Sequence, residues 1–259
     1  MIDRLVPPQH RLGIFRPQPI LRLTGILAGV LLLVWAVLMP GSEEGGDTSE
    51  PAPEAVAAYA AWTATPPDQA GARNALRVHA LRRPADEVAR GLVLARERGW
   101  DAAFVEQFTA IVAWAVSIRA SAPDSVNAHA QRALASNDPG TVAVGEALLA
   151  VADLKGHLPA RLAAALRQIE GGDAANGRRT LATLAGDGNF APAQAELGRR
   201  YERGDGVASD PQRALYWYLR AEAGGADVRD RLGALQIGLP PHQREEAERW
   251  LAANTPPTE

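Results

Sequence analysis

The chain has 259 residues, 47% of them hydrophobic and 22% charged, so it is long and apolar enough to form one or two domains with buried cores. A formal net charge of −3 argues against wrapping a nucleic acid, and the lack of cysteine excludes disulfides, thiolate catalysis and cysteine-bound metals. Alanine, leucine and arginine dominate while only 5% of residues are aromatic, which predicts an all-α protein. Arginine greatly outnumbers lysine, which occurs only at Lys155; this bias is typical of a GC-rich bacterial coding sequence.

The first predicted element is a transmembrane helix over residues 20–40, after a cytoplasmic tail at 1–19. Leu23 to Met39 are 17 uncharged and mostly apolar residues, enough to span roughly 26 Å at about 1.5 Å per residue. Arginines precede this run and acidic residues follow it, so the positive-inside rule places the N-terminus in the cytoplasm. The run is followed by no A-x-A-like cleavage site, which favours an uncleaved anchor over the alternative of a signal peptide.

A G-x-x-x-G pair, Gly25 and Gly29, lies within this helix. The spacing lets two helix backbones approach closely, so a homodimer contact is one interpretation; the other is that glycine is common in transmembrane helices. Residues 41–53 are predicted to be a flexible acidic linker, because none of their apolar residues is larger than alanine.

Residues 54–157 are predicted to be a helical-hairpin region, because proline, glycine and aspartate interrupt the helical pattern about every 15 residues. The predicted helices are 54–64, 68–82, 85–98, 101–120, 124–136, 140–154 and, crossing into the next region, 159–170. In the fourth of these, apolar residues recur at three- and four-residue spacings, so this helix is predicted to lie in the core. Those residues are Phe104, Val105, Phe108, Ile111, Val112, Ala115 and Ile118.

The clearest pattern lies in the region 158–259 and predicts two helices that close as an αα-hairpin, because each has one apolar face. The first face consists of Ala193, Leu197 and Tyr201, and the second of Ala214, Trp217, Tyr218 and Ala221. Gly198 would let the two helices approach closely. Gly204 and Gly206 provide the conformations that end the first helix, and Asp210 is placed to cap the second, with Pro211 at its first position.

These residues closely resemble a Sel-one-like repeat, a relative of the tetratricopeptide repeat. The resemblance implies an α-solenoid of αα-hairpins with adaptor and regulatory roles. Weaker copies flank the motif. Downstream, Leu232 and Gly233 match Leu197 and Gly198 at an offset of 35 residues, and Ala247 and Trp250 match Ala214 and Trp217 at an offset of 33. Upstream, residues 173–185 are predicted to be the second helix of a preceding hairpin.

A basic strip on the first helix of the repeat is the candidate partner-binding site. It consists of Arg199, Arg200 and Arg203, with Arg178 and Arg179 nearby in sequence. An acidic peptide or a carboxylate-bearing glycan could bind there through bidentate contacts. The alternative is a solvated helix face on which Glu196 and Glu202 pair with the arginines.

No catalytic, cofactor-binding or metal-binding residues are predicted, because the five histidines are scattered and no nucleotide-binding or hydrolase motif occurs. The sequence therefore predicts a non-enzymatic scaffold in the bacterial inner membrane, with a periplasmic solenoid that binds another envelope protein. Nucleic acid is not an expected partner. The alternative is a peptidoglycan- or polysaccharide-related envelope enzyme whose site lies in 54–157. It would need convergent carboxylates or a Ser/His pair in a pocket, for example Asp101, Glu106 or His129 converging in a cleft.

Overall fold

The computed structural model describes residues 50–253, and this part of the chain forms twelve α-helices and no β-strand. The all-α prediction is therefore confirmed for the described residues. The helices are α1 (Pro53–Thr63), α2 (Gln69–Arg82), α3 (Ala85–Glu97), α4 (Ala102–Ala120), α5 (Pro123–Leu134), α6 (Pro139–Leu154), α7 (Leu158–Glu170), α8 (Ala174–Ala185), α9 (Ala191–Arg203), α10 (Pro211–Ala223), α11 (Arg229–Gly238) and α12 (Pro241–Ala252).

Helix starts follow the expected chemistry. Proline occupies one of the first two positions of most helices, where its missing N–H costs no hydrogen bond. The carboxylates of Asp68, Asp138 and Asp210 accept backbone N–H groups at the starts of α2, α6 and α10. Because these signals are local, the predicted helices match the observed ones within about two residues.

Two compact units divide the chain after Ala120. In the first, α1 packs on α2, and α2 and α3 both pack on α4. Tyr59 stacks on Trp100 with ring centroids 4.4 Å apart, and both rings meet the edge of Phe104. The guanidinium of Arg119 donates to the carbonyls at the end of α2, so a partly buried cation caps that helix.

Helix α4 is the core helix of this unit, as predicted. Six of its seven predicted apolar residues are buried, and only Val105 is half-buried. Of the described helices, α4 is the one that is long and apolar enough to cross a membrane, a match in length and composition alone. The predicted transmembrane helix at 20–40, with Gly25 and Gly29, lies outside the described residues.

The second unit is a solenoid-like stack. Its hairpins are α5–α6, α7–α8 and α9–α10, and each joins the next where α6 packs on α7 and α8 on α9. The predicted helix at 173–185 is α8, and it does close a hairpin with the helix before it. Gln194 is fully buried and donates to the carbonyl of Ala185 and to Oδ1 of Asn189, which ties α9 to the end of α8.

Helices α11 and α12 pack on α10 rather than on each other, although the sequence pattern predicts a weaker copy of the hairpin there. Their connection is only two residues, Leu239 and Pro240, against seven in the α9–α10 loop. The offset between the two copies is 35 residues in the first helix and 33 in the second, which predicts a connecting loop that is shorter by only two residues. The α12 helix begins earlier than the pattern predicts, because Pro241 can start a helix.

The predicted segments 1–19 and 41–53 lie outside the described residues, apart from 50–53. The boundary between 54–157 and 158–259, which follows the change in sequence pattern, stays a prediction about where the repeats begin. The compact units of the structure divide at another place, after Ala120.

Candidate functional site

The α9–α10 hairpin is held together by the apolar faces that the repeat pattern singled out. Ala193, Ala214 and Ala221 are fully buried, and Trp217 and Tyr218 are almost so. Leu197 and Tyr201 are half-buried and pack against the same core. Burying the large aromatic rings of Trp217 and Tyr218 removes much apolar area from water, which stabilises this hairpin.

Gly198 lets the two helices approach closely. A Cβ at this position would lie 2.8 Å from the ring of Tyr218, closer than carbon atoms can pack. The hydroxyl of Tyr218 donates to Oε2 of Glu202 over 2.8 Å. Burial, and secondly this carboxylate, raise the pKa of Tyr218, so the phenol stays protonated and keeps donating.

The conformation of the loop between the helices is set by two glycines and by backbone hydrogen bonds. Gly204 and Gly206 have φ of +77° and +76°, a conformation that side chains with a Cβ rarely adopt. The carbonyl of Arg200 accepts the N–H groups of Gly204 and Asp205, which closes the end of α9. The N–H of Asp210 donates to the carbonyl of Tyr201, so the loop folds back on α9.

A groove of about 810 Å³ lies where this loop end of the hairpin faces α8. The apolar residues that line it include Leu181, Leu197, Tyr201, Val207 and Trp217. Four arginines also line it: Arg178 and Arg179 on α8, Arg200 on α9 and Arg213 on α10.

The four arginines are not equivalent. Arg200 is 6% exposed and donates through Nε to Oε1 of Glu196 over 2.9 Å. Arg213 pairs with Asp210 over 3.1 Å, and its guanidinium lies 5.6 Å from the ring centre of Tyr201. Each of these two cations is therefore neutralised within the fold.

Arg178 and Arg179 form no ion pair with any carboxylate among residues 50–253. Arg178 is half-buried, and a Cβ added to Gly206 would lie 3.7 Å from its Nη1, so its guanidinium lies against the glycine loop. Arg179 is exposed. These two side chains leave the groove with an excess of positive charge.

Of the three predicted partner-binding arginines on α9, only Arg200 lines the groove. Arg199 pairs with Glu196 and Asp205, and hydrogen bonds to Glu196 raise its pKa. Arg203 is exposed and does not line the groove. The structure thus brings Arg178 and Arg179, which the sequence analysis placed near the strip, together with Arg200 at the groove, whereas Arg199 and Arg203 do not line it.

Sequence reasoning missed Arg213. The available signal was its position four residues before Trp217 on α10, which puts both side chains on one helix face.

A second recess of about 300 Å³ lies beside the groove on α8. It is lined by Asp153, Arg161, Arg179, Thr180 and Thr183, and Asp153 and Arg161 form an ion pair. Arg179 lines both recesses.

Residues 191–225 match the family model of the Sel1 repeat. The α9–α10 hairpin is a Sel1-like repeat. The match covers both helices, the glycine loop and the Gly224–Gly225 end, so the sequence resemblance is confirmed over this segment. Searches of curated proteins and of solved structures found no match. Sel1 repeats generally mediate protein–protein interaction, and the Sel1-like repeat therefore supports a protein partner.

The residues required by the enzyme alternative are placed in structural roles. Asp101 caps α4 through the N–H of Phe104 and also accepts from Nε1 of Trp62. Nδ1 of His129 contacts the carbonyl of Ser125 in its own helix, and Glu106 is exposed. Within residues 50–253, no group of three or more histidines and carboxylates is arranged to hold a metal ion.

Proposed function

We propose that this chain is an adaptor anchored in the bacterial inner membrane, whose periplasmic helical repeats bind another protein of the cell envelope. The observation that carries the binding role is the groove beside the Sel1-like repeat, where apolar residues lie next to two arginines that have no ion-pair partner among residues 50–253. The location rests on the apolar run at 20–40 and the charges on either side of it.

The proposed arrangement has a physical advantage. A stack of hairpins presents a groove whose walls are fixed by packing, so little conformational entropy is lost when a partner binds. A flexible linker at 41–53 would keep that groove close to the membrane surface, which raises its effective concentration toward a partner in the same membrane.

A single crosslinking experiment tests both location and binding, because the chain contains no cysteine to interfere. Single cysteines would be placed at Ala182, which is exposed in the groove, at Glu222, which is exposed on α10 outside it, and at Gln9 in the predicted cytoplasmic tail. Intact cells would be treated with a membrane-impermeant maleimide that carries a photoreactive group, and then irradiated.

The proposal predicts that Ala182→Cys and Glu222→Cys are labelled in intact cells, whereas Gln9→Cys is labelled only after lysis. Irradiation should give a discrete covalent adduct from Ala182→Cys and none from Glu222→Cys. Labelling of Ala182→Cys only after lysis would contradict the periplasmic location. Equal adducts from both periplasmic positions would remove the groove as the binding site.

A further inference from the structure

We infer that the groove binds an extended peptide segment of the partner that carries two carboxylates beside an apolar side chain, a specificity that rests on the proposed adaptor function. For this ligand the groove includes the second recess, because Arg179 lines both recesses. Three properties of the described residues support this ligand. The first is the excess positive charge of Arg178 and Arg179, and the second is the apolar floor formed by Leu197, Tyr201 and Val207. The third is the length of the track, which is the wall that α8 forms along the groove.

The charge of the groove matches two carboxylates. Glu196 neutralises Arg200 and Asp210 neutralises Arg213, which leaves Arg178 and Arg179 as the surplus cations. Each guanidinium presents a planar fork of donors that suits a carboxylate. Arg178 is half-buried, so a carboxylate that reached it would be screened by solvent less than at an open surface.

The floor favours a peptide over a purely acidic ligand. Leu197, Tyr201 and Val207 are each half-buried and line the groove, so an apolar side chain could cover them. The acidic linker at 41–53 has carboxylates but no apolar residue larger than alanine, so it would leave this floor uncovered. A carboxylate-bearing sugar would need an open aromatic face, but Trp217 is only 6% exposed and the guanidinium of Arg213 lies over the ring of Tyr201.

The length of the track fits an extended segment. Its α8 wall runs from Ala175 in the first recess to Thr183 in the second. Eight helical steps cover about 12 Å at about 1.5 Å each, the length of about four residues of extended peptide. Two acidic residues and one apolar residue can therefore lie along the track together.

The test uses the full-length protein in detergent micelles and a display library of random dodecapeptides as the probe. The library would be selected against the wild-type protein. Enriched peptides would then be synthesised with a fluorescent label, and their dissociation constants measured by anisotropy. Each peptide would be measured against wild type, the double variant Arg178→Gln/Arg179→Gln, and Arg203→Gln, an exposed arginine outside the groove.

The expected result is an enriched set with at least two Asp or Glu residues beside a Leu, Phe or similar residue. The double variant should weaken binding about tenfold or more, while Arg203→Gln should leave it unchanged. As a second measurement, Arg179→Glu should bind a charge-reversed peptide with lysine in place of one acidic residue better than wild type does. That gain cannot come from misfolding.

Four results would overturn the inference: no enrichment, an enriched set without acidic residues, equal loss of binding in Arg203→Gln, or displacement of bound peptide by oligogalacturonate or by a synthetic 41–53 peptide at equal concentration. The adaptor proposal can survive this failure. If Ala182→Cys still captures a partner and the double variant does not reduce the adduct, the groove binds a protein by other chemistry.

Discussion

The α9–α10 and α11–α12 pairs share leucine, glycine, alanine and tryptophan at four matching positions, yet they pack differently. A Cβ added at Gly198 would lie 2.8 Å from the ring of Tyr218, whereas a Cβ added at Gly233 would have no atom within 4 Å. Trp217 is buried in the core, while Trp250 is half-buried and reaches it edge-on through Tyr216. A repeat motif therefore specifies close packing only where the opposing residue is also present. The position matching Tyr218 is Leu251, and α12 does not pack on α11.

The largest expected effect comes from the two tryptophans. Trp217→Ala should lower the free energy of unfolding by about 3–5 kcal/mol, because a large buried ring leaves a cavity, and Trp250→Ala should cost roughly half of that or less. Native-state hydrogen exchange of the full-length protein would measure the local loss in peptides covering 191–225 and 229–252. Equal losses would show that the terminal pair is as tightly packed as the repeat.

The two glycines should respond with opposite signs. Gly198→Ala should destabilise the hairpin by about 1–3 kcal/mol, because the new methyl group must displace the buried ring of Tyr218. Gly233→Ala should stabilise α11 by about 0.5–1 kcal/mol, because it meets no atom and alanine favours the helix. The same exchange measurement applies. Destabilisation by Gly233→Ala would mean that α11 contacts a surface outside the described residues.

The smallest effect concerns Tyr218, whose counterpart Leu251 has no hydroxyl. Glu202 accepts from Tyr218 and also from Arg231 of α11, so this hydrogen bond links the repeat to the next helix. Since the pKa of Tyr218 is raised in the fold above the ordinary 10.0, its contribution is complete below pH 10.0 and is lost as the pH rises through the folded value.

Urea unfolding of wild type and Tyr218→Phe should therefore differ in their pH dependence. Below pH 10.0 the wild type should be more stable by about 0.5–1.5 kcal/mol, the net contribution of one hydrogen bond. Above pH 10.0 the difference should shrink. A difference that stays constant through the alkaline range would show that the hydroxyl does not control this contact.

Local signals made most of the fold predictable. Proline at helix starts, aspartate caps and the apolar periodicity of α4 depend on residues within a turn or two of one another, so the predicted helices agree with the observed ones. The Sel1-like repeat was also predictable from the sequence, because the glycines of its loop and the apolar faces of its helices occur at short, regular spacings.

The candidate site was less predictable, because it depends on which helix faces which. The basic strip predicted on α9 treated Arg199, Arg200 and Arg203 alike, although helical geometry points them in different directions. Arg199 turns to Glu196 and Asp205, and Arg200 is buried against Glu196. Arg213, which completes the groove, lies on the second helix of the hairpin.

The sequence by itself determined that the described part of this protein is helical, where most of its helices begin and end, and which segment is a Sel1-like repeat, since all three follow from local propensity and spacing. Tertiary structure alone decided which arginines share a groove and which are neutralised, and that α11 and α12 pack on α10 instead of pairing. These outcomes depend on packing and ion pairing between residues that are distant along the chain. Short-range sequence patterns contain no information about such contacts.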